Sequence, residues 1–314
     1  MSVPTGNIDQ GGNSELRLNR DIEGFLLTAE MLEIDFDFAF AELNRYLQDV
    51  LMLSNGFSFD DLGVRERRKE SLPKLIVPSD SAYKFVDRWD VQNVEETPPG
   101  SIALLKLSGV MRTQSGLSSP GADRLAADFR NAFHNPNVKG VILETLSGGG
   151  ESMAGTLIKS AISERNKPVV GFAHLGASAA YRALSGTDEI IASTDQSEFG
   201  SIGTMLTLDT KVLNKYRERF TDIYGTQVPK KNAEFRAAIA GDFTGLQERV
   251  NALTGKFHDE IKGSRPLRGD AAFIKETLSG AVFDAKESKR RGLVDAIGNL
   301  QFAVRRVNAL SKNY

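Results

Sequence analysis

Lys139–Ala192 reads KGVILETLSGGGESMAGTLIKSAISERNKPVVGFAHLGASAAYRALSGTDEIIA, and the order of apolar runs within it decides the fold. Val141-Ile142-Leu143 follows Lys139-Gly140 as a short apolar strand. Glu151 to Arg165 then reads as a helix, Pro168 to Phe172 as a strand, Ala177 to Leu184 as a helix and Glu189 to Ala192 as a strand. Strands that alternate with helices imply βαβ units and a largely parallel sheet. Working outward, Ile102 to Leu107 is a further strand and Ala122 to His134 the helix after it. Toward the C-terminus Leu246, Val250, Leu253, Phe257 and Ile261 line one face of a long helix, and Val304, Val307 and Leu310 mark a last one.

Upstream the rhythm is different. Residues 1–15 read as a polar, mobile tail. Residues 16–54 read as helical, with Leu, Ile and Phe recurring at three- and four-residue steps, and Asn55-Gly56 stops the pattern. Residues 57–95 are charged and irregular. The run Arg65-Glu66-Arg67-Arg68-Lys69-Glu70 is either a solvated helix face or a nucleic-acid contact. Pro98-Pro99-Gly100 marks a boundary. The expected organisation is a helical N-terminal extension, 1–95, followed by one domain, 96–314.

Composition narrows the function classes. The chain has 314 residues, 40% of them hydrophobic, and a formal net charge of −2, so the molecule as a whole is not an electrostatic binder of nucleic acid. It has no cysteine, which excludes disulfides, thiolate metal sites and a cysteine nucleophile, and fits a reducing compartment. The start, MSVPTGNIDQGGNSELRLNR, lacks the basic and then apolar pattern of a signal peptide. No apolar run approaches the roughly 18 to 20 residues of a spanning helix. A cytoplasmic protein without membrane contact is expected.

Three glycine-rich loops carry the candidate chemistry. Ser147-Gly148-Gly149-Gly150 lets backbone approach a ligand closely and point N–H groups at it, as an oxyanion or phosphate cradle or as a simple tight turn. In Gly176-Ala177-Ser178-Ala179-Ala180-Tyr181, small residues crowd one hydroxyl at the start of a helix. Ser178 is a nucleophile with the Ala179 N–H as an oxyanion donor, or it is a helix-capping serine. Gly200-Ser201-Ile202-Gly203 is by itself only a turn. A serine nucleophile needs a base. None of His134, His174 and His258 sits in a triad context, and a desolvated lysine is the other known solution, with Lys230-Lys231 as a candidate pair.

As an ordered set these loops resemble the signal peptide peptidase A family, and more closely its phage relatives, the prohead or capsid-assembly proteases. Where the family pattern has Ser-Pro-Gly-Gly this chain has Ser147-Gly148-Gly149-Gly150, with glycine in place of the proline; where it has Ala-Ala-Ser-(Gly/Ala)-(Gly/Ala)-Tyr this chain has Gly176 to Tyr181; and Gly-Ser-(Ile/Leu)-Gly is matched by Gly200 to Gly203. Asn135 to Gly140, Gly280 to Ala285 and Arg291 to Gly298 also fit, so the likeness covers residues 100–310.

The resemblance implies the ClpP/crotonase fold of repeated ββα units and a Ser/Lys dyad that needs no cofactor or metal. Ser178 falls on the family's nucleophile, and on that reading the N–H groups of Ala179 and of Gly149 or Gly150 hold the oxyanion. Ser201 falls on a serine that positions the lysine. The segment Ile223 to Lys231 departs from the family's Ser-Gly-x-x-Lys; counting from Gly203 without a gap gives Lys231 as base, and a shift of one gives Lys230. The implied activity is an endopeptidase working through an acyl-enzyme, as a capsid-maturation protease or a signal-peptide-peptidase-like protease without a membrane anchor. Implied partners are a polypeptide substrate, such as a scaffold or capsid precursor, and further copies of the chain. Two other readings remain open: a capsid-assembly protein with a decayed site, and a crotonase-type acyl-CoA enzyme.

Overall fold

A computed structural model describes residues 32–34, 72–79, 83–86, 94–115, 121–208 and 210–314. Leu206–Arg249 belong to one compact unit; the other described residues, up to Met205 and from Val250 on, belong to a second. The expected tail, 1–15, lies outside the described residues. Of the stretch read as helical, only β1 (Leu32–Ile34) is described, and it is a strand. The segment read as irregular contributes β2 (Lys74–Pro78) and β3 (Tyr83–Val86), and β2 pairs with β4 (Ser101–Ser108) across the expected boundary at Pro98-Pro99-Gly100.

The second unit is built as its apolar runs require. Strand β4 is followed by α1 (Ala122–His134), β5 (Val138–Ser147) and the short β6 (Gly149–Glu151). Next come α2 (Ser152–Ser163), β7 (Val169–Ala177), α3 (Ala179–Leu184), β8 (Glu189–Ala192) and β9 (Glu198–Gly200). Strands β4, β5 and β7 run parallel at the centre of a nine-stranded sheet, and β7 branches, pairing with β8 through its first half and β9 through its second.

Period-two alternation sorts the side chains onto two faces. Ala103, Leu105, Val141 and Leu143 join Phe129 of α1, Ile158 of α2 and Tyr181 of α3 in the larger core. Ile102, Leu104, Ile142 and Val170 face the other way and pack with Ala303, Val304 and Val307 of the last helix, α9 (Leu300–Leu310). Because both faces are covered, these strands read as nearly continuous apolar runs.

The first unit contains α4 (Thr210–Arg219) and α5 (Ala233–Ile239). Helix α6 (Thr244–Ser264) begins in it and continues in the second unit, where Phe257 and Ile261 are buried. The chain then adds α7 (Ala271–Thr277), β10 (Val282–Asp284), α8 (Ala285–Arg291) and β11 (Ala296–Ile297).

Candidate active site

Ser178 sits where β7 turns into α3, with φ 56° and ψ −122°. A side chain in this region costs about 1–3 kcal/mol and persists only where the surroundings fix it. Here they do. The Ser178 N–H donates to the Gly200 carbonyl at 2.8 Å, and its own carbonyl accepts the Arg182 N–H at 2.9 Å. A Cβ on Gly176 would lie 2.4 Å from Leu184 Cδ1 and would displace that side chain, and Ala177, Ala179 and Ala180 are wholly buried. Ser178 itself is only 1% exposed, and its side chain makes no capping bond to α3. A capping serine has extended backbone and accepts an N–H from the first turn; Ser178 does neither.

The first glycine loop is fixed by side-chain and bridge contacts. Ser147 Oγ donates to the Gly109 carbonyl at 2.7 Å and accepts the Gly149 N–H at 3.1 Å. The Met111 N–H donates to the Gly149 carbonyl, and the Glu151 N–H to the Met111 carbonyl, both at 2.9 Å. Since successive residues of a strand present their N–H and C=O to opposite sides, Gly150 turns its own pair away from Met111 and toward β1. Only glycine fits there, because a Cβ would stand 2.1 Å from the Met111 carbonyl oxygen.

Helices α2 and α3 bring this loop to Ser178. A Cβ on Gly155 would lie 2.6 Å from the Ala179 carbonyl oxygen, so backbone meets backbone at that crossing. Arg182, buried on α3, donates from Nη1 to Ser152 Oγ at 2.8 Å, stacks 4.1 Å from the Phe257 ring and holds Nε 3.2 Å from the Glu260 carboxylate. Tyr181 beside it donates its hydroxyl to the Leu293 carbonyl at 2.8 Å, and burial raises that hydroxyl's pKa. On α2, Lys159 donates to Ser264 Oγ at 2.8 Å, and burial lowers its pKa.

The third loop is held from the C-terminal side. Val282 of β10 pairs with Gly200, and the Ser201 N–H donates to the Ala281 carbonyl at 2.9 Å. Ser201 is left-handed, with φ 50°. His258 Nε2 lies 3.3 Å from the Ile202 carbonyl, and the Thr204 N–H donates to Thr254 Oγ1 at 3.1 Å.

The structure therefore brings Ser178, Ala179, Gly149, Gly150 and Ser201 into one neighbourhood of the second unit. Lys230 and Lys231 lie in the first unit, exposed in the turns before α5. Sequence reasoning did not single out Gly155, Arg182 or His258 as neighbours of the site. A glycine inside a helical pattern was the available signal for the first. Among the described residues no cluster of His, Asp and Glu could hold a metal, and no helix is long and apolar enough to cross a membrane.

Residues 161–313 match the family model for peptidase family S49. The match covers just under half of the chain. The chain is 26% identical over 243 residues to Protease 4 of Haemophilus influenzae, covering 75% of this chain and 38% of that protein. It is 26% identical over 210 residues to the head-tail preconnector protein GP5 of Enterobacteria phage P21, covering 66% of this chain and 41% of that one. The chain thus spans about two fifths of each of these curated relatives. Among solved structures it is similar to an enoyl-CoA hydratase/carnithine racemase from Magnetospirillum magneticum, at TM-score 0.40 and 14% identity over 75% of this chain and 74% of that one. The matched residues include Ser178, Ser201, Lys230 and Lys231.

Proposed function

We propose that residues 96–314 are a serine endopeptidase domain with Ser178 as nucleophile and Lys231 as general base. The observation that carries this reading is Ser178 itself: a buried serine, held in a strained corner between two glycine loops, with a hydroxyl that is not used as a cap. Neutral Lys231 takes the hydroxyl proton as Ser178 Oγ attacks the peptide carbonyl. The resulting oxyanion is assigned to the N–H groups of Ala179 and of Gly149 or Gly150; here the Gly149 N–H donates to Ser147 Oγ and Gly150 pairs with Glu33 of β1, so either donor is released when substrate binds. Collapse expels the amine, which leaves with the proton from the lysine. Water, deprotonated by the same lysine, then releases the acyl group and restores Ser178.

A lysine base is neutral only where it is desolvated. Lys230 and Lys231 are exposed, so the reading requires that substrate or further protomers cover them, which agrees with a homo-oligomer. Ser201 is assigned to orient the lysine. Of residues 1–95, β2 and β3 pair into the nine-stranded sheet, so the domain boundary does not separate sheet from extension. Similarity to the phage preconnector protein favours a substrate among capsid or scaffold precursors and a cytoplasmic setting.

Turnover of a peptide substrate tests the assignment. Ser178→Ala and Lys231→Ala should each lose several powers of ten, and the double variant no more than either, because groups that act as a unit are non-additive. Lys230→Ala should keep most activity. Equal activity of both lysine variants and the wild type would remove the dyad.

A further inference from the structure

Strand β6 has two edges beside the Ser178 corner. One is closed by the single bridge to Met111. The other is occupied by β1, a segment of the chain's own N-terminal region, in antiparallel register: Leu32 opposite Glu151, Glu33 opposite Gly150 and Ile34 opposite Gly149. Because Gly149 and Glu151 spend their bonds on Met111, the residue that faces β1 with both N–H and C=O is Gly150, and its partner is Glu33. Strands β1 and β6 both lie against α3, the helix that starts directly after Ser178. Nearby, Leu146 and Met153 are 51% and 58% exposed, large apolar side chains flanking β6 on either side in sequence.

We infer that the β6 edge is a strand-addition site for an extended polypeptide with apolar residues at alternate positions, and that Leu32-Glu33-Ile34 fills it in the resting chain. An added strand gains main-chain hydrogen bonds from the edge and specificity from alternate side chains. Leu-Glu-Ile has that alternation, and an unfilled β6 edge would be an open template for pairing. The Glu33 backbone takes up the Gly150 groups that a bound substrate would use, so self-occupancy lowers the competent fraction of the enzyme and substrate affinity with it. This inference rests on the reading of Ser178 as the nucleophile for its effect on activity, but the occupancy is testable without it.

The chain has no native cysteine, so Leu32→Cys with Glu151→Cys in the full-length protein is a clean reporter. Opposed residues of a non-hydrogen-bonded antiparallel pair have Cα atoms about 4.5 Å apart, within the roughly 4.4–6.8 Å that a disulfide bridges. Oxidation should give a cross-link within one chain, seen as a monomer of joined peptides by mass spectrometry. The oxidised protein should label at Ser178 with a fluorophosphonate at least about tenfold more slowly than the reduced one. Glu151→Cys alone controls for the lost bond from the Thr113 N–H. Glu33→Pro, which removes the strand's paired N–H, should label faster than wild type. Failure of the cross-link, a cross-link only between chains, or equal labelling of oxidised and reduced protein would overturn the inference. If Ser178 labels in no form, the peptidase assignment falls, while the cross-link still decides where β1 lies.

Discussion

Replacing Ser178 by glycine should make the protein more stable while abolishing its chemistry. Ser178 has φ 56° and ψ −122°, a conformation that costs a residue with a Cβ about 1–3 kcal/mol. Glycine adopts it freely and gives back about 0.5–1 kcal/mol through the entropy of the unfolded chain. No capping bond is lost, because the Ser178 side chain makes none to α3. The net expectation is a gain of about 0.5–2 kcal/mol. For a domain of this size each kcal/mol moves the midpoint by about 2–4 °C, so the melting temperature should rise by a few degrees. Ser178→Ala keeps the Cβ and the strain, and its midpoint should stay close to wild type. Calorimetry and urea titration of both variants isolate the backbone contribution, and fluorophosphonate labelling of both should be zero. A glycine variant less stable than the alanine variant would refute the claim that strain is stored at this corner.

Three further substitutions probe the packing around it. Gly155→Ala gains about 1 kcal/mol of helix propensity but drives a Cβ to 2.6 Å from the Ala179 carbonyl; we expect a net loss near 1 kcal/mol by urea titration and labelling of Ser178 slowed about tenfold. Arg182→Met removes the stack on Phe257 and the bond to Ser152 and leaves Glu260 without its buried partner, so denaturation should show a loss of about 2–4 kcal/mol. Tyr181→Phe strands the buried Leu293 carbonyl and should cost about 1–2 kcal/mol in the same assay, with labelling preserved.

The parallel sheet was legible because its strands are covered on both faces. Val141 to Leu143, Val169 to Phe172 and Ile190 to Ala192 are unbroken apolar runs with helices between them. Glu189–Ala192 and Ala122–His134 have the bounds expected of them. Strand β6 was not legible, since Gly149-Gly150-Glu151 has no strand propensity and is extended only because Met111 and β1 pair with it. The stretch around Leu32 carries both helical spacing and the period-two alternation of Leu32-Glu33-Ile34-Asp35-Phe36-Asp37-Phe38; its described part, Leu32–Ile34, follows the alternation. Lys74-Leu75-Ile76-Val77 lies between charged segments, and that setting hid a strand whose partner, β4, is some 27 residues away. At the site, Ser178 stood out through its small neighbours. The reason for their smallness, backbone contact with Gly155 and Leu184 pressed on Gly176, is a tertiary fact with no local signature.

The central claim is that one serine carries the reaction. Treating the assembled protein with a fluorophosphonate and mapping the adduct by mass spectrometry tests it most directly. The account predicts a single adduct on Ser178, lost in Ser178→Ala and strongly reduced in Lys231→Ala. An adduct on another residue, or peptide cleavage that persists in Ser178→Ala, would contradict it.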